Sequence, residues 1–175
     1  SRGLGDVYKR QVVEVKNLEE LKSIGRKNIN GKIVFFNRPM EPSFIDTFKA
    51  YQGALDQRYS GAAEAAKYGA VAVIVRSMNL RLDDYPHTGE MSYGSLPISK
   101  RIPAAAISTN DAELLSSMIS LNPNLSFFLR QDCKNYPDVK SYNVIGQIKG
   151  TDFPEKIILL GAHICLLYTS DAADE

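Results

Sequence analysis

No apolar run in this chain approaches the length that a membrane-spanning helix needs. Charge of one sign is lacking too. The 21 lysines and arginines face 20 aspartates and glutamates, a net charge of +1, and no basic cluster stands out. That balance excludes the electrostatic footprint of a nucleic-acid or anionic-membrane binder. Histidine is confined to His87 and His163, so any histidine-based triad or histidine metal ligand has to use one of them. Cysteine is as scarce. Cys165 falls in a terminal stretch treated below as foreign, and Cys133 alone can build neither a disulfide framework nor a thiolate zinc cluster. Also missing are a zinc-protease helix motif, a phosphate-binding glycine loop, a nucleophile elbow, internal repeats and low-complexity tracts.

What is present is ordinary for a soluble globular protein. The 175 residues are 44% hydrophobic and 23% charged, enough for one domain with a real core plus a remainder. The two ends are a separate matter. Asp6-Val-Tyr-Lys-Arg-Gln11 can be encoded as GAT GTG TAT AAG AGA CAG. The reverse complement, shifted by one base, reads TGT CTC TTA TAC ACA TC, which translates as Cys165-Leu-Leu-Tyr-Thr-Ser170. Folding does not require opposite ends of a chain to encode the two strands of one DNA element. Residues 1–11 and 165–175 therefore resemble translated sequencing adapters, and the native insert is expected at 12 to about 164.

Between those ends the elements alternate. Asn17-Leu-Glu-Glu20 has the form of a helix N-cap, with Leu18, Leu21 and Ile24 as a short apolar stripe. Asn30-Gly31 predicts a turn and 32–37 a strand closed by Arg38-Pro39. Ser60 is placed to cap an alanine-rich helix over 61–68 that Gly69 ends, and 70–75 follows as a buried strand. That order predicts a parallel crossover. The turn-rich stretch 80–100 predicts a long loop. A third strand over 102–107, a helix opened by the Asn110 and Glu113 pair, and a strand over 125–129 follow. Asn135-Tyr-Pro-Asp138 is the clearest domain joint, after which 141–150 and 156–164 predict a hairpin-like pair of strands.

Few residues stand out chemically. An apolar strand ending in Gly161-Ala-His163 delivers an imidazole to the mouth of a sheet, where metal and substrate sites are built. From spacing alone His163 is a metal ligand or simply a histidine at a strand end. His87, in Tyr85-Pro-His-Thr-Gly89, reads first as a solvated loop histidine, with substrate contact as the weaker alternative. Asp83-Asp84 reads as a turn. Cys133 has no neighbour apart from Lys134 that would make it a nucleophile.

Read together, Gly31-Lys-Ile-Val34, Gly61-Ala-Ala-Glu-Ala-Ala-Lys67, Pro86-His-Thr-Gly89, Ile102-Pro-Ala-Ala-Ala-Ile107, Tyr136-Pro-Asp138, Ser141-Tyr-Asn143 and Ile157-Ile-Leu-Leu-Gly-Ala-His163 resemble the carboxypeptidase Q type of zinc metallo-exopeptidase. The resemblance implies a mixed α/β fold. A protease-associated domain over 12–134 and a linker at 135–140 precede the first β-hairpin of a truncated zinc-peptidase sheet over 141–164. It also implies two zinc ions per active site in the full-length parent, with His163 as one ligand of a His-x-Asp pair whose aspartate position is Cys165 here. The remaining ligands and the general base would lie beyond this chain, so the fragment is expected to be inert. Peptides or dipeptides are the implied substrates, an extracytoplasmic location the implied compartment, and a homodimer an implied assembly of the parent. A free-standing protease-associated module that binds peptides or partners without catalysis is the alternative.

Overall fold

The computed structural model describes residues 6–133 and 136–161. The chain divides into two compact units, Ser1–Cys133 and Lys134–Glu175.

The first unit is built on a five-stranded sheet: β1 (Asp6–Val15), β2 (Ile33–Phe36), β3 (Ala72–Arg76), β4 (Ala104–Ile107) and β5 (Ser126–Gln131). Their order is β4-β3-β2-β1-β5. The second half of β1 pairs with β2, β2 with β3, and β3 with β4, all in parallel, while the first half of β1 pairs antiparallel with β5. Ile33-Val-Phe-Phe36 and Ala72-Val-Ile-Val75 are buried throughout, as parallel strands covered on both faces must be.

Alternation along those strands separates two cores. Val34, Phe36, Val73 and Val75 face α1 (Leu18–Ile29) and α3 (Gly61–Lys67), where Leu21, Ile29, Ala62 and Ala65 meet them. Ile33, Phe35, Ala72 and Ile74 face α4 (Thr109–Leu121) through Ala112 and Leu115. Gly61 is needed where α3 touches the sheet, because a Cβ there would stand 2.9 Å from the Phe36 ring. Asn17 caps α1 as expected, accepting from the Glu20 N–H at 2.8 Å, while the Glu20 carboxylate accepts from the Lys16 N–H at 2.6 Å. Gly25, at φ 71, kinks the helix and lets it run on to Ile29.

Several expectations are corrected. The helix opened at Asn110 is capped two residues earlier, by Ser108, which accepts from the Asp111 N–H at 3.0 Å. Ser60 stands at the head of α3 but its hydroxyl donates back to the Asp56 carbonyl, since the same residue closes the preceding helix. That helix, α2 (Thr47–Tyr59), was not legible in the sequence. It buries only Ala50, Ala54 and Gln57, too small and polar a set to print an apolar stripe. Residues 6–11, read as foreign, form the first half of β1. Strand pairing uses backbone groups that any sequence supplies, so this pairing is indifferent to their origin.

Residues 136–161 of the second unit contain no helix or strand, so the hairpin expected over 141–150 and 156–164 is not formed where it is described. Ile145, Ile148 and the run Ile157-Ile-Leu-Leu160 are exposed. A lone two-stranded pair is marginal in water, and no further strand or helix covers its apolar face among the described residues of that unit.

Candidate functional site

The C-terminal edge of the parallel strands gathers the polar residues of the first unit. Glu14 lies one residue before the end of β1, Asn37 directly follows β2, and Arg76 ends β3. Arg76 is 5% exposed and Asn37 4%. Arg76 Nη1 donates to Asn37 Oδ1 at 3.1 Å and to Glu113 Oε1, on α4, at 2.5 Å. Asn37 Nδ2 donates to Glu14 Oε1 at 2.7 Å, and Glu14 also accepts from Lys16 Nζ at 2.6 Å and Ser116 Oγ at 2.8 Å. Burial pushes the Glu14 carboxyl up, but hydrogen bonds from Lys16, Asn37 and Ser116, with the Lys16 charge, outweigh it and hold the group below its ordinary value. The network ties three strands to α4, with each acid facing a donor.

The stretch after β3, expected as a long loop, is stitched onto this edge. Ser77 Oγ donates to the Ile107 carbonyl at 2.7 Å and accepts from the His87 N–H at 2.6 Å. Asp83 accepts from Asn79 Nδ2 at 2.9 Å, Arg81 Nε at 2.8 Å and the Tyr85 N–H at 3.0 Å. Thr109 Oγ1 accepts from the Asp83 N–H at 2.8 Å, and Asn110 Nδ2 donates to Asp84 Oδ1 at 2.7 Å. Burial would raise the Asp83 carboxyl, but its bonds to Arg81, Tyr85 and Asn79 leave it lowered. The Asp83-Asp84 pair is thus a turn element, as its sequence suggested.

His87 is half-buried. Its Nδ1 lies 3.3 Å from the Met78 carbonyl and its ring centre 5.9 Å from that of Tyr51 on α2. Tyr51 in turn accepts a hydrogen bond from Arg58 Nη2 at 2.6 Å, and the Arg58 guanidinium sits 5.5 Å from the centre of the Tyr51 ring. Neither Tyr51 nor Arg58 was singled out in the sequence, because both lie on the helix whose pattern was too weak to read. A cleft of about 370 Å³ opens between α3 and the later part of this loop, walled by Tyr59, Lys67, Tyr93 and Leu96.

His163 and Cys165, the positions assigned to the His-x-Asp pair, lie outside the described residues. Among the described residues no three histidine, cysteine, aspartate or glutamate side chains come together as a metal would require. Cys133 is exposed. No helix among the described residues is long and apolar enough to cross a membrane.

The sequence matches no protein-family model. It is 35% identical over 155 residues to carboxypeptidase Q of Bos taurus and 36% identical over 155 residues to that of Xenopus laevis, in both cases 88% of this chain. The chain is a relative of the carboxypeptidase Q-type peptidases. It spans 30% of the length of those relatives. The crystal structure of a peptidase M28 precursor from Shewanella amazonensis SB2B shares the fold with a TM-score of 0.60 and 28% identity, over 75% of this chain and 30% of that one. The mixed α/β class expected from the sequence is the one observed.

Proposed function

We propose that this chain is the front part of a zinc exopeptidase that trims peptides or dipeptides in its full-length form. It comprises a protease-associated domain over 12–134, a linker at 135–140 and the opening of the peptidase domain at 141–164. The similarity to carboxypeptidase Q along 88% of the chain carries this reading. The change of unit at Lys134 supports the position of the joint. His163 is the metal ligand in this reading, offering a neutral imidazole nitrogen at the end of an apolar run. Zinc, when bound, polarises the peptide carbonyl and activates water. An extracytoplasmic location and a homodimeric parent belong to the same reading.

The 175-residue chain is itself inert in this reading. A catalytic zinc takes three protein ligands, and among the described residues no three histidine, cysteine, aspartate or glutamate side chains come together. The test is zinc calorimetry and dipeptide hydrolysis on the whole chain and its His163→Ala variant. Equal, weak zinc binding and no turnover are expected. Tight stoichiometric zinc that the substitution abolishes would overturn the inertness. The complete reading frame decides the rest: an aspartate two residues after His163 supports the peptidase, whereas a stop codon shortly after it leaves a binding module.

A further inference from the structure

Arg58 has more hydrogen-bonding capacity than its surroundings use. Its Nη2 is engaged by Tyr51, but its Nε and Nη1 groups are buried and have no hydrogen-bond partner. No carboxylate lies within ion-pair distance of it among the described residues. Arg38 and Arg76 also carry buried donors without a hydrogen-bond partner, but each of them meets a carboxylate, Asp56 and Glu113 respectively. Donors shut off from solvent without a partner are costly, and they mark places that a ligand or an ordered water fills.

What covers this guanidinium is a stretch of main chain with little to hold it. Gly89 passes so close that a Cβ there would fall 2.5 Å from the guanidinium carbon. On one side His87 is pinned to Ser77, and on the other the Ser92 N–H donates to the Tyr59 carbonyl at 2.7 Å. Between these anchors Thr88, Gly89 and Glu90 are exposed and make no hydrogen bond among the described residues. A ring-backed guanidinium with idle donors beneath an unpinned bridge is built to receive a planar oxyanion.

We infer that Arg58 is the seat for a carboxylate, which enters by displacing the 88–90 bridge and accepts from one of the two idle guanidinium donors. The bearer of that carboxylate rests on the peptidase reading, which makes it the C-terminus of a peptide. An aspartate or glutamate side chain is the other source of the same chemistry.

The test uses the 175-residue chain with N-acetyl-Ala-Phe, its C-terminal amide, and N-acetyl-aspartate amide, followed by NMR titration. The free acid is expected to bind saturably, with about tenfold or greater weakening for the amide and a similar loss in Arg58→Gln. Gly89→Ala is an independent check, because its Cβ crowds the guanidinium only while the bridge is closed and so favours the open form. Acid binding should tighten there, with the circular dichroism spectrum unchanged. Binding of the aspartate derivative as tight as that of the free acid supports the seat and assigns it to a side-chain carboxylate. Equal binding of acid and amide, no saturable acid binding at millimolar concentration, or unchanged binding in Arg58→Gln overturns it. Neither zinc nor turnover enters this measurement, so its failure leaves the peptidase reading intact.

Discussion

The Gln131 side chain on β5 donates a 3.0 Å hydrogen bond to the carbonyl of Ala104 on β4, although these strands stand at opposite ends of the sheet order. The sheet curls far enough for its two edges to meet, and Phe127 and Leu129 of β5 share one apolar cluster with Ala105 and Ile107 of β4. Each edge strand would otherwise present unpaired backbone groups to solvent. Gln131→Ala should therefore lower the unfolding free energy by about 1 kcal/mol, read as a lower denaturant midpoint at unchanged slope. An unchanged midpoint would show that the bridge follows the curl without supporting it.

Glu14 gives the first unit an acid-sensitive joint. Its carboxyl is held below the ordinary value, so the folded form binds its proton less readily than the unfolded chain does. The stability this contributes is fully present above the unfolded pKa and is lost as pH falls through the folded one. Melting temperature should fall as pH drops below about 4.5, the ordinary value for this group. Glu14→Gln should flatten that fall while lowering stability near neutral pH. Parallel acid limbs in the two proteins would refute the assignment.

The same substitution at two helical glycines should have opposite signs. At Gly61 a Cβ would press on the Phe36 ring at 2.9 Å, and Gly61→Ala should cost about 1–3 kcal/mol. At Gly53, inside α2, a Cβ meets nothing within 4 Å, and Gly53→Ala should stabilise by about 0.5–1 kcal/mol through helix propensity. Chemical denaturation of the pair checks both. A destabilised Gly53→Ala would mean that α2 is held by a contact on that face.

Removing residues 135–175 should raise soluble yield without lowering the melting temperature of what remains. The deleted stretch exposes Ile145, Ile148 and Ile157-Ile-Leu-Leu160, an apolar set with nothing over it among the described residues of its unit. A drop in either quantity would place the domain joint elsewhere.

How far the sequence could be read follows from how each element earns its place. Strands such as Ile33-Val-Phe-Phe36 and Ala72-Val-Ile-Val75 carry their burial in composition, and β2 to β5, α1 and α3 could be placed from the chain alone. Asn17, whose partner lies three residues away, was equally visible. The short Val12-Val-Glu-Val15 half of β1 was passed over because a lone run beside a suspect terminus lacks flanking turn signals. α2 escaped because its buried residues are small. The seat around Arg58 escaped because its parts, Tyr51, Arg58, His87 and Gly89, come from two distant segments with no shared motif.

The chain by itself determined the alternation of strands and helices, the kinship with carboxypeptidase Q and the scarcity of histidine, since these depend on local order and residue identity. Tertiary structure alone decided that β4 and β5 meet, that Glu14 and Arg76 are linked through Asn37, and that a glycine backbone roofs an arginine with idle donors. The physical reason is range: periodicity and capping act over a few residues, whereas curl and buried charge are settled by segments that meet only when the cores on both faces of the sheet have packed.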